Sequence, residues 1–129
     1  MTSQTVAVAP EVATCRVMVA PVVEDSASAP LPAEIVYTKR AVNPFFNTGL
    51  ESWLHRNDVD TVVLCGVYTH MVVDSSARYA DDAGFHVTVL EDCCASPDPE
   101  LHRIECEKIL PLFGEVTSSA AFLAGLRQP

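Results

Sequence analysis

Hydrophobic residues at positions 61–65 are followed by a glycine and then by an amphipathic pattern, and the remaining elements are predicted around this stretch. The run at 61–65 is mostly β-branched and does not alternate with polar residues, which is typical of a strand covered on both faces of a parallel sheet. Gly66 interrupts this run. From Val72 onward, apolar side chains recur at helical spacing, and Gly84 stands where a left-handed C-cap is needed. The pattern predicts a strand, a sharp turn and a helix in immediate succession.

The turn between this strand and this helix is the first candidate for a functional site. It leaves the first helical N–H groups facing the crevice beyond the carboxyl end of the strand, with the positive end of the helix dipole behind them. Such a position suits a carboxylate or an oxyanion. The alternative is that the turn merely connects two elements.

The hydrophobic pattern also predicts the other elements after residue 33. Short apolar runs predict three more strands, at 34–38, 86–91 and 115–117. Amphipathic segments predict three more helices, which begin at the capping pair Thr48 and Glu51, at Ser96 with Pro97, and at Ser118. Strands and helices therefore alternate, and we expect an α/β fold with a parallel sheet and right-handed connections.

Residues 1–33 have a different character. They are rich in Ala, Val, Pro and Ser, and their four prolines rule out a long helix. Only residues 14–23 have the composition of a strand, and Pro21 would confine its far end to an edge or a bulge. We therefore divide the chain into an N-terminal segment, 1–33, that is partly extended or poorly ordered, and one α/β domain at 34–126.

Composition and charge narrow the choice of partners. The 129 residues, of which 49% are apolar, suffice for one domain with a core. The net charge is −9 and the only basic cluster is Lys39 with Arg40, so there is no electrostatic footprint for nucleic acid or an anionic membrane. No apolar run approaches the roughly 20 residues of a membrane span, and the N-terminus lacks the early positive charge of a signal peptide. We expect a cytoplasmic protein that binds a small molecule or another protein.

The cysteines predict neither a disulfide framework nor a metal centre. The five of them are odd in number and mostly lie within apolar patterns, which favours reduced thiols. Cys93 and Cys94, with four scattered histidines, do not have the spacing of zinc ligands. Cys65 lies on the predicted buried strand and is expected to pack in the core. We expect no metal ion or other cofactor.

Three sequence segments resemble the motifs of one enzyme family. They are EIVYTKRAVNPFFNTGLESWL, VVLCGVYTHMVV and HVTVLEDCCASPDPELH, which begin at residues 34, 62 and 86. They are similar to the F-x-x-T-x-L, G-V-x-T-x-x-C-V and V-x-V-x-x-D-A patterns of the isochorismatase-like (cysteine hydrolase) superfamily, and GVYTH is close to the GVYAH of isochorismatases proper. Over residues 34–123 the chain resembles the second half of this family. The resemblance implies a three-layer, Rossmann-like α/β/α fold with a six-stranded parallel sheet, and a catalytic Asp-Lys-Cys set.

The resemblance places Lys39 and Val72 at two catalytic positions. Lys39 stands at the family's lysine, which holds and polarises the reacting carbonyl or carboxylate; without the resemblance, it would be an ordinary surface charge. The position of the family's nucleophile falls on Val72, six residues after Gly66, so covalent thiol catalysis is excluded at this position. Isochorismatases also lack this cysteine and use general acid catalysis by their aspartate, so the valine does not exclude chemistry.

The resemblance also implies an anion hole at the turn. The N–H groups of Val72 and Tyr68 would form it, with a cis peptide bond between Val67 and Tyr68. We expect Tyr68, Thr69 and His70 to contact the substrate. The alternative for His70 is a capping or surface role.

Further residues near the predicted strand ends have two interpretations each. Phe45 and Phe46 could wall a substrate pocket or belong to the core. Cys93 and Cys94 lie at the end of the sheet that is suited to chemistry, but the family has a small structural residue there. Asp92 matches the family's structural aspartate and is expected to accept hydrogen bonds from N–H groups of a loop.

The family's first strand, which carries its catalytic aspartate, has no counterpart in this chain. It is normally central, between the strands that correspond to 34–38 and 60–66. Residues 14–23 could fill this gap, another chain could fill it, or the fold could be rearranged. If residues 14–23 fill it, Glu24 and Asp25 emerge near the place of the lost acid, and Asp25 becomes the candidate catalytic acid. An unpaired central edge also predicts a homo-oligomer.

Three hypotheses for function follow. The leading one is an isochorismatase-like hydrolase that acts on a small carboxylate or amide with a noncanonical or degenerate site. Its rival is a non-catalytic member that binds a metabolite or a partner protein through the same crevice. The third is a truncated remnant whose exposed sheet edges drive oligomerisation.

Overall fold

The computed structural model describes residues 4–8, 17–20, 32 and 34–126. In chain order the strands and helices are β1 (Gln4–Val8), β2 (Val17–Ala20), β3 (Ile35–Lys39), α1 (Leu50–Arg56), β4 (Thr61–Val67), α2 (Asp74–Asp82), β5 (His86–Ala95), α3 (Pro99–Ile104), β6 (Glu115–Thr117) and α4 (Ser119–Leu126). A π-helical turn, Thr69–Val73, leads into α2. A second one, Glu105–Ile109, and a 3-10 turn, Leu110–Leu112, extend α3. Across the described ranges, every helix is too short or too polar to cross a membrane.

Three strands form the parallel sheet that the hydrophobic pattern predicts. β5 lies between β4 and β6, and both pairings are parallel. The β4–β5 ladder runs from Thr61 opposite His86 to Val67 opposite Ala95, with an irregularity between residues 64 and 66. These strands and the helices between them confirm the predicted α/β class.

The first three strands form a separate antiparallel sheet, so the expectation of a single parallel sheet is wrong for β3. β1 pairs antiparallel with both β2 and β3, in the order β2-β1-β3. The prediction allowed one strand at most within residues 1–33, whereas the structure has two. Only eight residues connect them, and a parallel crossover needs a dozen or more, so the two strands pair antiparallel.

β2 lies beside β4, and this placement bears on the three alternatives for the strand next to β4. β2 falls within residues 14–23 and contacts β4, but the two sheets have separate hydrogen-bond ladders, so the arrangement also differs from a single parallel sheet. β2 therefore occupies the space next to β4, and β1 lies between β2 and β3. Glu24 and Asp25 lie outside the described residues.

The helix predicted to begin at Ser96 begins at Pro99 instead. The N-cap is Asp98, whose Oδ1 accepts a hydrogen bond from the N–H of Glu100 at 2.9 Å. The carboxylate of an N-cap aspartate thereby satisfies one of the N–H groups of the first turn that have no partner within the helix. Ser96 is thereby left outside the helix, directly after the end of β5.

The capping box predicted at Thr48 and Glu51 is also absent. α1 begins after Gly49, and Thr48 Oγ1 accepts from the N–H of Leu50 at 3.4 Å. Glu51 instead accepts a hydrogen bond from the Tyr79 hydroxyl on α2, at 2.5 Å. This bond joins the surfaces of the two helices.

The core lies where α1 and α2 pack against β4 and β5. Its largest fully buried aliphatic residues are Leu50, Leu54, Val62, Leu64, Val73, Val89 and Leu110. Each such side chain stabilises the fold by about 1.5–3 kcal/mol relative to an exposed position. The core therefore fixes β4, the π-helical turn and β5 against one another.

Gly114, directly before β6, packs against the backbone of β5. A Cβ at this position would lie 2.2 Å from the carbonyl oxygen of Val87 and 2.7 Å from its Cβ. Because such overpacking costs about 1–3 kcal/mol, we expect Gly114→Ala to lower the free energy of unfolding by that amount in urea denaturation. Gly125→Ala is the matched control, since nothing lies within 4 Å of its new methyl group. Equal stability of the two variants would contradict the packing of Gly114.

Candidate active site

The carbonyl group of Tyr68, directly after β4, accepts the hydrogen bonds that begin the next helix. The peptide bond between Val67 and Tyr68 is cis, as the resemblance implies. The carbonyl oxygen of Tyr68 then accepts the N–H groups of Met71 (3.2 Å), Val72 (2.9 Å) and Val73 (3.3 Å). The π-helical turn therefore begins immediately where the strand ends.

The implied anion hole is only partly available in this geometry. The N–H of Val72 is engaged with the carbonyl of Tyr68, so a ligand oxygen would have to displace that bond. The Val72 side chain is 4% exposed and packs in the core. The residue that the resemblance places at the nucleophile position is thus buried, whereas the Tyr68 side chain at the same turn is exposed.

Thr69 is held inside the fold by a polar contact with α3. It is fully buried, and its Oγ1 lies 2.8 Å from Nδ1 of His102. The same imidazole lies 3.7 Å from the Sγ of Cys106 through its Nε2. Because Thr69 is not accessible to solvent, we assign this chain of contacts to anchoring the turn against α3.

His70 points to a different partner. Its Nδ1 lies 2.9 Å from the Oγ of Ser96, and both residues are half-buried. The Tyr68 ring lies beside it, with 6.0 Å between the ring centroids. A hydroxyl group and an imidazole that are both within hydrogen-bond distance and accessible are groups that can exchange a proton with a substrate.

Burial keeps three thiols near this edge in their neutral form. It raises the pKa of Cys65 and of Cys106 to about 11, and the pKa of Cys94 to about 12. The thiolate is the reactive form of cysteine, so these thiols are poor nucleophiles at neutral pH. Cys93 is exposed, and its Sγ lies 4.0 Å from an oxygen of Asp92.

Asp92 holds the start of α4 against β5. It accepts a hydrogen bond from the N–H of Ser119 at 2.7 Å and another from the Ser119 hydroxyl at 2.5 Å. These two bonds hold the pKa of Asp92 below its usual value, and the bond from the hydroxyl has the larger effect. Asp92 therefore accepts hydrogen bonds as expected, but from the first residue of α4 and not from the N–H groups of a loop.

Lys39 is buried at the end of β3, with 3% of its surface exposed. Its Nζ donates to the carbonyl oxygens of Ala41 (2.8 Å) and Val42 (2.9 Å), and burial lowers its pKa. The next residue, Asn43, donates from its side-chain amide to the carbonyl of Ser75 on α2, at 3.3 Å. The loop whose carbonyl groups accept hydrogen bonds from Lys39 is thus joined by a hydrogen bond to α2, the helix that follows the π-helical turn. Within the described residues, no hydrogen bond joins Lys39 to residues 68–72 directly.

The two predicted pocket phenylalanines have opposite environments. Phe45 is 5% exposed and stacks on Tyr79 and Phe85, with ring centroids 4.9 and 6.5 Å apart, so its core interpretation is the one that fits. Phe46 is 60% exposed. It borders a cavity of about 340 Å³ that is also lined by Thr38, Arg40, Ala41 and Asn47. Substrate binding by Phe46 stays a prediction.

The candidate catalytic acid, Asp25, lies outside the described residues, and its role stays a prediction. Among the residues that are described, no three His, Cys, Asp or Glu side chains are grouped as metal ligands. A second cavity, of about 300 Å³, lies at the opposite edge of the parallel sheet, beside His86 and Glu115 at the starts of β5 and β6.

Sequence reasoning missed Ser96 and His102 as members of this site. Ser96 was assigned to a helix cap because a serine before a proline is a common helix start. Its position after β5, which neighbours β4 in a parallel sheet, was the available signal, because the carboxyl ends of such strands meet at one edge. For His102, the sequence alone offers no comparable signal.

A family model described as the isochorismatase domain matches residues 22–121. The chain belongs to the isochorismatase family. Among proteins of the family is YecD of Escherichia coli O157:H7, an uncharacterised isochorismatase family protein that is 36% identical over 94 residues, which are 73% of this chain and 50% of YecD. The resemblance drawn from the sequence motifs is thereby confirmed at the level of the family.

Two other relatives of this isochorismatase family member add a named activity and a solved structure. The ureidoacrylate amidohydrolase RutB of Methylobacterium radiotolerans is 36% identical over 101 residues, 78% of this chain and 39% of RutB. An isochorismatase family protein from Burkholderia thailandensis superposes with a TM-score of 0.75 at 28% identity, covering 78% of this chain and 53% of that one. The chain spans about half, or less, of the length of these relatives.

The Asp92 contacts predict how stability depends on pH. Because the pKa of this carboxyl is lower in the folded state, its contribution is present above the unfolded value of about 3.9 and is lost as the pH falls through the folded pKa. We expect Asp92→Asn to be less stable than the parent at neutral pH, and the difference to shrink below about pH 4.

Chemical denaturation at several pH values measures this effect. Asp82→Asn, which changes an exposed carboxylate of α2, is the matched control for the removal of one surface charge and should lower the stability at neutral pH by less than Asp92→Asn. A stability difference for Asp92→Asn that stays constant from neutral to acid pH would show that the charged form is not the one that holds α4.

Proposed function

We propose that this protein hydrolyses an amide bond in a small molecule that also carries a carboxylate. The observation that carries the proposal is the burial of the Lys39 ammonium group. Its contacts within the described residues are two neutral carbonyl oxygens, at 2.8 and 2.9 Å. Taking a charge out of water with only neutral partners costs free energy that folding alone does not require. Ionisable groups perturbed in this way concentrate at functional sites.

The remaining donor capacity of Lys39 suits an oxygen of the substrate. An ammonium group has three N–H donors, and two of them are used by Ala41 and Val42. A carboxylate or a carbonyl oxygen of the substrate can accept the third. Either contact would compensate the buried charge, and a carbonyl so bound would be polarised toward attack.

The substrate class is taken from the family. RutB is named as an amidohydrolase of ureidoacrylate, a name that specifies an amide-type bond and a carboxylate in one small molecule. The chain corresponds to 39% of RutB, so this activity is transferred as a proposal only. A protein of net charge −9 does not attract anions in general, so a carboxylate substrate would have to be bound by a local cation, for which Lys39 is the candidate.

A second candidate function is binding without turnover through the same crevice. It is favoured by Val72 at the position of the nucleophile and by the neutral state of the three buried thiols, since neither supplies a reactive sulfur atom. Binding of ureidoacrylate without release of ammonia would favour this candidate.

Lys39→Met tests the proposed hydrolysis. The variant keeps most of the side-chain volume and removes the ammonium group, so we expect ammonia release from ureidoacrylate and related amide acids to fall at least about 100-fold. Lys108→Met, which removes an exposed lysine, is the matched control and should retain the parent's activity.

The melting temperature of both variants shows whether they are folded at the assay temperature. If folded Lys39→Met turns over the amide panel as fast as the parent, Lys39 does not act on the substrate. If the parent releases no ammonia from any member of the panel, the amide hydrolase proposal is wrong.

A further inference from the structure

Ser96 and His70 lie together at the carboxyl edge of the parallel sheet. Val67 and Ala95 are the last paired residues of β4 and β5, so the segments that carry His70 and Ser96 leave neighbouring strands at the same edge. In open α/β sheets this edge is where ligands bind. The 2.9 Å between Ser96 Oγ and His70 Nδ1 is the separation expected of a nucleophile and its general base.

Accessibility separates this pair from the other hydroxyl–imidazole pair in the site. Thr69 and His102 are as close, at 2.8 Å, but Thr69 is fully buried and cannot meet a substrate. Ser96 and His70 are both half-buried, so neither residue is enclosed as Thr69 is. Of the two pairs, only the second is placed to react.

The other candidate nucleophiles near this edge are unsuitable. Val72 has no reactive atom, and burial holds Cys65, Cys94 and Cys106 as neutral thiols. Cys93 is exposed, but the contact found for its sulfur among the described residues is with the carboxylate of Asp92 at 4.0 Å, and that carboxylate is already used by Ser119. No imidazole of the described residues forms a hydrogen bond with the Cys93 sulfur, so it lacks the general base that Ser96 has.

We propose that Ser96 Oγ is the nucleophile, and His70 Nδ1 the general base, of a covalent acyl-transfer site that replaces the missing thiol at Val72. The assignment rests on the proposed amide hydrolysis for its substrate class. The hydroxyl can donate to Nδ1 when the ring proton is on Nε2.

Each step of this hydrolysis balances. The Ser96 oxygen bonds to the amide carbonyl carbon while its proton passes to His70 Nδ1. The carbon–nitrogen bond then breaks, and the same proton goes to the leaving amine. A water molecule attacks the resulting Ser96 ester and gives a proton to His70, and the ester bond breaks as that proton returns to the serine oxygen. The net products are a carboxylic acid and an amine.

Labelling with an alkyl fluorophosphonate tests the assignment without a known substrate. This reagent bonds to activated serine oxygens with loss of fluoride, and intact-mass spectrometry with peptide mapping finds the modified residue. We expect one phosphonyl group on Ser96 of the parent and none on Ser96→Ala. His70→Asn should label at least about 100-fold more slowly, because a general base contributes about 100- to 10,000-fold.

Ser118→Ala is the matched control. It changes a half-buried serine whose hydroxyl oxygen accepts the N–H of Ala121 and which has no imidazole partner among the described residues, so the rate of labelling should not change. Melting temperatures of Ser96→Ala and His70→Asn establish that both are folded. A parent whose Ser96 stays unlabelled, or labelling that proceeds equally fast in folded His70→Asn, would overturn the proposal.

Amide turnover separates this proposal from the proposed function. If the parent releases ammonia and Ser96→Ala does so equally fast, the protein is an amide hydrolase but Ser96 is not its nucleophile. If Ser96 is labelled in a His70-dependent way and no amide in the panel is cleaved, the nucleophile assignment is supported and the amide substrate class is wrong.

Discussion

The carbonyl group of Tyr68 is the point on which the geometry of the site depends. It accepts three N–H groups, those of Met71, Val72 and Val73, within one turn after the end of β4. The helix consequently starts with no intervening loop, and successive side chains leave the turn in different directions. Val72 and Val73 enter the core, Thr69 reaches α3, and His70 reaches the residue after β5. If this carbonyl were released, the turn would lose three backbone hydrogen bonds at once, and these four side chains would lose the backbone support that they share.

Burial then decides which polar groups of the site can take part in chemistry. Thr69 of the pair with His102 is enclosed, whereas His70 and Ser96 are both half-buried. Buried thiols are neutral and therefore poor nucleophiles, and the Nζ of buried Lys39 has two neutral carbonyl oxygens as its hydrogen-bond partners among the described residues. Burial thus distinguishes the groups that are enclosed in the fold from those that a ligand can meet.

The strand, turn and helix at the centre were predictable because their signals are local. An unbroken apolar run, a glycine and helical spacing determine those elements, and the resemblance located Lys39 and the peptide bond before Tyr68. The antiparallel half was not predictable, because pairing of strands within residues 1–33 depends on contacts that no local pattern encodes. Ser96 followed by Pro97 has the local signature of a helix start. Asp98 followed by Pro99 has the same signature and forms the actual cap, so the sequence alone does not distinguish the two. The burial of Phe45 likewise depends on the rings of Tyr79 on α2 and of Phe85, which directly precedes β5.

A ligand that binds at the carboxyl edge of β4 and β5 should contact the turn after β4 and the residue after β5. Titrating maleate, a small unsaturated carboxylate, into ¹⁵N-labelled protein and following the backbone amide resonances tests this placement directly. We expect saturable shifts that are largest at residues 68–73 and at Ser96. Shifts confined to the cavity at the opposite edge, around His86 and Glu115, would contradict it, as would changes that never saturate.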